Sequence, residues 1–148
     1  MKRFLILFTV VLLATATFAQ IEKPVKWAYA SKKINSKEAI ILIKATIQPG
    51  WHIYSQFVKD GGPVATTFTF AASKDFTLNG KTTEPKGIVK HEDVFKMDVT
   101  YFEKSVVFQQ KIKLNKPKTI VKGKLEFMVC NDFKCLPPEE VEFSIPVN

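Results

Sequence analysis

The chain has 148 residues, 46% of them hydrophobic, which is one domain's worth of chain with enough apolar material for a core. Its 22 Lys and Arg against 14 Asp and Glu give a formal charge of +8, an excess compatible with nucleic acid or an anionic membrane surface. However, the lysines are scattered (Lys32, Lys33, Lys44, Lys59, Lys74, Lys81, Lys86, Lys90, Lys111 and Lys113) and Arg3 is the only arginine. No nucleic-acid partner is therefore expected, and solvated strand faces and edges account for the lysines.

The first segment reads as an export signal. Lys2 and Arg3 form a positive start, Phe4 to Leu13 is apolar apart from Thr9, and Thr17-Phe18-Ala19 offers small residues at the two positions a signal peptidase reads. Cleavage is expected after Ala19, making residues 1–19 the signal peptide and 20–148 the mature domain; Ala14-Thr15-Ala16 satisfies the same rule three residues earlier. The apolar run falls short of the roughly 20 residues of a bilayer span. No cysteine follows the cleavage site to carry a lipid, and no later segment is apolar and long enough to span. The mature protein is thus expected to be periplasmic or secreted, without stable membrane insertion. Removing residues 1–19 leaves 129 residues with an excess of six positive charges, since Lys2 and Arg3 leave with the signal.

Along the mature chain the apolar pattern has period two. Val25, Trp27 and Tyr29 alternate with Lys26 and Ala28, and Ile41, Ile43, Ala45 and Ile47 alternate with Leu42, Lys44 and Thr46; both stretches predict strands. Phe68 and Phe70 predict a third. Phe108, Gln110, Ile112 and Leu114 share one face of a fourth within Val107 to Leu114. Leu125, Phe127 and Val129 form the next, running to Cys130, and Val141, Phe143 and Ile145 the last. Turn signals separate them: Asn35-Ser36, Pro49-Gly50, Gly61-Gly62-Pro63, Asn79-Gly80, Glu84-Pro85-Lys86-Gly87, Asn115-Lys116-Pro117 and Pro137-Pro138. Many short strands at near-regular spacing without a helix after the signal predict an all-β fold, an antiparallel β-sandwich of immunoglobulin-like type. A small closed barrel is the alternative.

The only two cysteines, Cys130 and Cys135, flank four residues, Asn131-Asp132-Phe133-Lys134, and are followed by Leu136-Pro137-Pro138. In an oxidising compartment such a pair is expected to form a disulfide. If Cys130 ends one strand and Cys135 begins the return, the two face each other with Cα atoms about 4.5–5.5 Å apart, within the range a disulfide accepts. Closing so small a loop is worth only about 2 kcal/mol on the chain-entropy model. That is weak for a staple, which favours an exposed, reducible bond, with a structural disulfide as the competing reading. The apolar strand end disfavours a thiolate at Cys130, whereas the charge of Lys134 favours one at Cys135. The sequence does not rank the two effects.

Three segments in succession, Trp51-His52-Ile53-Tyr54-Ser55, Gly61-Gly62-Pro63-Val64-Ala65-Thr66 and Val129-Cys130-Asn131-Asp132-Phe133-Lys134-Cys135-Leu136-Pro137-Pro138, resemble the signatures of the N-terminal periplasmic domain of the thiol:disulfide interchange protein DsbD. The resemblance covers most of the mature chain. It implies an immunoglobulin-like domain without a cofactor, a component of a protein-disulfide reductase or thiol–disulfide oxidoreductase system. Its Cys pair would receive electrons from a membrane-embedded donor and pass them to periplasmic thioredoxin-fold partners. Cys135 would be the attacking thiol and Cys130 the resolving one. It also implies a short cap loop shielding the cysteines, matched here by His91-Glu92-Asp93-Val94-Phe95, with Phe95 and its neighbour Val94 as the shield. Because the chain ends at Asn148, the electron donor is expected on a separate polypeptide.

Glu92, Asp93 and Asp132 are candidates for tuning the site, against their ordinary role as turn and loop carboxylates. His52, His91, Met97 and Met128 with the cysteines would suit Cu(I), but no pair among them has a ligand spacing, so no metal is expected. Ser55, Ser73 and Ser105 lack a nucleophile elbow. Gly61-Gly62-Pro63 does not join strand to helix, so it reads as a turn needing positive φ and not as a phosphate cradle. Trp51, Tyr54 and Phe57 either surround the cysteines or fill the core. A non-catalytic immunoglobulin-like binding or chaperone module remains the alternative function.

Overall fold

A computed structural model describes residues 22–148; residues 1–21, with the signal segment and its cleavage site, lie outside the described residues. In chain order the strands are β1 (Val25–Asn35), β2 (Glu38–Ile47), β3 (His52–Tyr54), β4 (Thr67–Phe70), β5 (Phe76–Leu78), β6 (Ile88–Glu92), β7 (Met97–Phe102), β8 (Ser105–Leu114), β9 (Thr119–Phe127), β10 (Val129–Cys130) and β11 (Glu139–Val147). Among the described residues none is helical, and no helix is long and apolar enough to cross a membrane.

Three antiparallel sheets form in the orders β1-β2-β8-β5, β10-β3-β7-β6 and β11-β9-β4. The first packs across the other two, giving the expected immunoglobulin-like sandwich; none of the sheets closes into a barrel. Alternation sets the inner face. Ala39, Ile41, Ile43, Ala45 and Ile47 of β2 and Val106, Phe108, Ile112 and Leu114 of β8 point inward, and Val121, Leu125 and Phe127 of β9 meet them with Phe143, Ile145 and Val147 of β11. Phe108, with no exposed surface, is the hub: its ring lies 4.9 Å from Phe68, 5.9 Å from Phe102 and 6.3 Å from Trp27. Burying one such side chain is worth about 1.5–3 kcal/mol.

Gln110 stands in this inward row because its amide is satisfied: Nε2 donates to the carbonyls of Gly80 (3.1 Å) and Lys111 (2.8 Å), while Oε1 accepts from Thr82 Oγ1 (2.8 Å). Every described lysine is exposed. Gly61 adopts φ 86°, the left-handed turn conformation expected of it.

Two expectations need correction. The stretch Leu125 to Cys130 is not one strand: the chain breaks step at Met128, so that β9 pairs with β11 and β4 while β10 pairs with β3 in a different sheet. Continuous alternation concealed this change of partner. Four strands, β3, β5, β6 and β7, also lie outside the runs read as strands, because they are short, or are covered or exposed on both faces, and lack a clean inside–outside alternation.

Candidate redox site at the cysteine hairpin

The sheet β10-β3-β7-β6 has apolar residues on both faces. Successive side chains of a strand point to opposite sides, so Ile53, Phe102 and Val129 enter the main core. Their neighbours Tyr54, Tyr101 and Cys130 build, with Val99, a second cluster on the outer face, against which Val58, Met97 and Met128 pack. His52, two residues before Tyr54, joins that face. Its ring centroid lies 5.2 Å from that of Tyr54 and 4.7 Å from that of Tyr101.

Cys130 ends β10 as the register partner of His52 and also forms a single antiparallel bridge with Cys135. The two cysteines are disulfide-bonded, with Cα atoms 4.0 Å apart, tighter than the spacing expected of a regular ladder. Asn131 draws the loop in: its Oδ1 accepts from the backbone N–H of Phe133 (2.9 Å) and Lys134 (2.8 Å), and its own N–H donates to the Lys134 carbonyl (2.9 Å). The Leu136 N–H donates to the Val129 carbonyl at 2.9 Å and closes the base of the hairpin. The result is asymmetric. Cys130 is 2% exposed and sits in the outer cluster, whereas Cys135 is exposed and Phe133 at the tip is 95% exposed.

A cleft of about 330 Å³ opens over the disulfide. One wall is the cysteine hairpin, including Asp132; the other is the β6–β7 hairpin, including Glu92, Val94 and Phe95; His52 and Tyr54 lie between them. The loop carrying Val94 and Phe95 joins the paired residues Glu92 and Met97, with the Phe95 N–H donating to the Glu92 carbonyl at 3.1 Å and Lys96 at φ 51°. Phe95 is half-buried and Val94 is 84% exposed. Of the three carboxylates singled out from sequence, Glu92 and Asp132 line the cleft. Asp93 does not: it projects into solvent, 4.0 Å from His91 Nε2.

The electrostatics follow from partial burial. His52 is held below the usual histidine range chiefly by burial and by the Lys90 charge, with Glu92, Glu103 and Asp132 pulling the other way. Burial, with Glu92 adding to it, pushes Tyr54 up to about 12; Tyr101 is also raised, by burial first and then by Glu103. Tyr54 therefore stays a neutral phenol, and its hydroxyl lies 3.2 Å from His52 Nε2. The Lys134 ammonium beside Cys135 is shared: it pairs with Glu22 at 2.5 Å and lies 5.9 Å from the Trp51 ring.

The remaining candidates do not line the cleft. Trp51 packs on the main core, and Phe57 is exposed. His91 pairs with Asp98 at 2.9 Å on the surface. Met97 and Met128 pack beside Cys130; among the described residues no three His, Cys, Asp or Glu side chains gather to hold a metal ion. Ser55 Oγ donates to the carboxylate of Glu84, which also accepts from the Gln56 N–H at 3.0 Å, so this serine anchors a loop.

The family model for the N-terminal part of thiol:disulfide interchange protein DsbD matches residues 21–146. The chain belongs to that family. Membership places it among thiol:disulfide interchange domains, in agreement with the bonded cysteine pair and the immunoglobulin-like fold. Among solved structures, the N-terminal periplasmic domain of ScsB from Proteus mirabilis is similar with a TM-score of 0.60 and 18% identity, over 85% of this chain and 47% of that one. This chain thus spans about half the length of that relative. The reduced DsbD N-terminal domain of Neisseria meningitidis gives a TM-score of 0.52 at 17% identity, over 81% of this chain and 85% of that one. The same species' DsbD N-terminal domain in complex with the PilB N-terminal domain gives 0.56 at 15%, over 84% and 87%. At these identities the likeness shows a shared fold. No curated protein matches.

The sequence did not reveal that His52 lines the cleft beside the disulfide or that Asn131 shapes the cysteine loop. The signals were present: His52 and Tyr54 at i and i+2 share a strand face, and Asn at the head of a four-residue loop favours a side-chain-closed turn.

Proposed function

We propose that this is an exported, periplasmic interchange domain that carries reducing equivalents on Cys130 and Cys135, with Cys135 attacking and Cys130 resolving. The unequal exposure of the two cysteines carries this reading: a partner reaches Cys135 first, while Cys130 waits in the apolar cluster behind it. The Cys135 thiolate attacks a partner disulfide to give a mixed disulfide; Cys130 then attacks Cys135, and the partner leaves reduced. Val94 and Phe95, on the opposite rim of the cleft, act as the cap that a partner displaces. Glu92 and Asp132 tune the site. The domain runs from residue 20 after cleavage of the 1–19 signal. Its acceptors are thioredoxin-fold proteins, a reading supported by the complex of a related DsbD N-terminal domain with the PilB N-terminal domain; its donor is membrane-embedded.

Single-cysteine variants test the assignment. Cys130→Ser retains the attacking thiol and is expected to accumulate mixed disulfides with thioredoxin-fold proteins, whereas Cys135→Ser is expected to trap few. Equal trapping by the two variants contradicts the assigned roles, and trapping by neither favours a structural disulfide in a binding module.

A further inference from the structure

The exchange scheme leaves one proton without a destination. Before Cys130 can attack the Cys135 sulfur its thiol must lose a proton, and Cys130 is 2% exposed, at the floor of the cleft, where little solvent reaches it. The residue directly opposite Cys130 in the β3–β10 pair is His52. Opposed residues of an antiparallel pair project to the same face with Cβ atoms about 4.5–5.5 Å apart, and both residues line the cleft. On this basis we infer that His52 is the proton acceptor for the Cys130 thiol in the resolving step of the proposed exchange.

The surroundings suit that role. Tyr54 lies 3.2 Å from His52 Nε2. In the tautomer that donates Nε2–H to the Tyr54 oxygen, Nδ1 keeps its lone pair for the thiol proton. The charged and titratable groups around the ring are Tyr101 and Glu103 from β7 and its end, Lys90 and Glu92 from β6, and Asp132 from the cysteine loop. Burial keeps the ring neutral, and so able to accept, near pH 7; the three carboxylates favour the imidazolium once it forms. The step balances. The Cys130 proton moves to His52, the Cys130–Cys135 bond forms as the bond from Cys135 to the partner breaks, and the departing thiolate takes up a proton as His52 returns to neutral. Two electrons leave the dithiol and reduce the partner.

The inference rests on the exchange reading, and one experiment separates the two. The reduced protein is mixed rapidly with an equimolar amount of dithiobis-nitrobenzoate. Attack by Cys135 releases one nitrothiolate, and resolution by Cys130 releases the second. In the wild type the second phase is expected to rise with pH and level off above the titration of the imidazole. In His52→Gln the first phase is expected to be unchanged. Its second phase should fall about 100-fold at pH 7, the lower end of general-base effects, and keep rising toward the ordinary cysteine range near 8.5. A second phase unaltered in rate and pH profile by the substitution overturns the role of His52 while leaving the exchange reading intact. A wild type that releases no second equivalent overturns both. If His52→Gln does not fold, NMR titration of the wild-type imidazole decides: a resolution rate that follows that titration supports the role, and one that rises straight through it overturns it.

Discussion

The two faces of the β10-β3-β7-β6 sheet do different work with the same strands. On the inner face, Ile53, Phe102 and Val129 belong to the large core shared with the long strands β2, β8, β9 and β11. On the outer face, Tyr54, Tyr101 and Cys130 belong to a small cluster that is roofed by an open cleft and contains polar groups. A closed apolar layer supplies stability in proportion to area removed from water. The open layer is where burial shifts the protonation of His52 and Tyr54. Because β3, β7 and β10 are anchored in the main core through Ile53, Phe102 and Val129, the sandwich is expected to survive loss of the disulfide.

The largest expected effect lies in the closed layer. Phe108→Ala removes the ring shared by Trp27, Phe68 and Phe102 and is expected to cost about 3–5 kcal/mol, read from the denaturation midpoint. Reducing the Cys130–Cys135 bond should cost only about 2 kcal/mol, because the loop it closes holds four residues, and the β-type circular dichroism should persist. Global unfolding on reduction would break the contrast between the faces.

Smaller effects belong to the open layer and depend on pH. Tyr54, raised to about 12 in the fold, contributes stability that is present below the unfolded tyrosine value near 10 and is lost as pH rises from there through about 12. Tyr54→Phe is expected to flatten that alkaline decline in denaturation experiments across the range. His52 is shifted the other way: the unfolded state binds its proton more readily, so its contribution is present above about 6.5 and is lost as pH falls through the lower folded value.

Phe95→Ala should have the least effect on stability, well under the roughly 3 kcal/mol of a buried Phe, since it sits half-buried on a loop. It should nevertheless speed reduction by small thiols, because exchange depends on access to the sulfur. An unchanged rate together with a core-sized loss of stability would place Phe95 in the core and remove the cap.

Much of the closed layer was legible in the sequence, and less of the open one. The long strands are wet on one side, so Ile41-Leu42-Ile43-Lys44 and Val121-Lys122 carry the alternation that reports a half-buried strand. His52-Ile53-Tyr54 has both faces covered, and all three residues are buried. Ile88-Val89-Lys90, on an edge strand, is exposed throughout; neither pattern separates inside from outside. The change of sheet at Met128 left no mark, because Phe127 and Val129 both face the main core while pairing with different strands. In the site, the cysteine hairpin was readable from its residues, and the Val94-Phe95 loop only through the family resemblance. The placement of His52 opposite Cys130 depends on the pairing of β3 with β10, a contact between residues far apart in the chain.

The reduction potential of the Cys130–Cys135 pair, measured against glutathione or dithiothreitol buffers with the fold monitored in parallel, tests the central claim most directly. A disulfide closing a short loop, with one cysteine exposed, is expected to equilibrate at a potential above roughly −300 mV while the sandwich stays folded. A potential below that value, or reduction that occurs only as the domain unfolds, would contradict an exchangeable pair and mark the bond as structural.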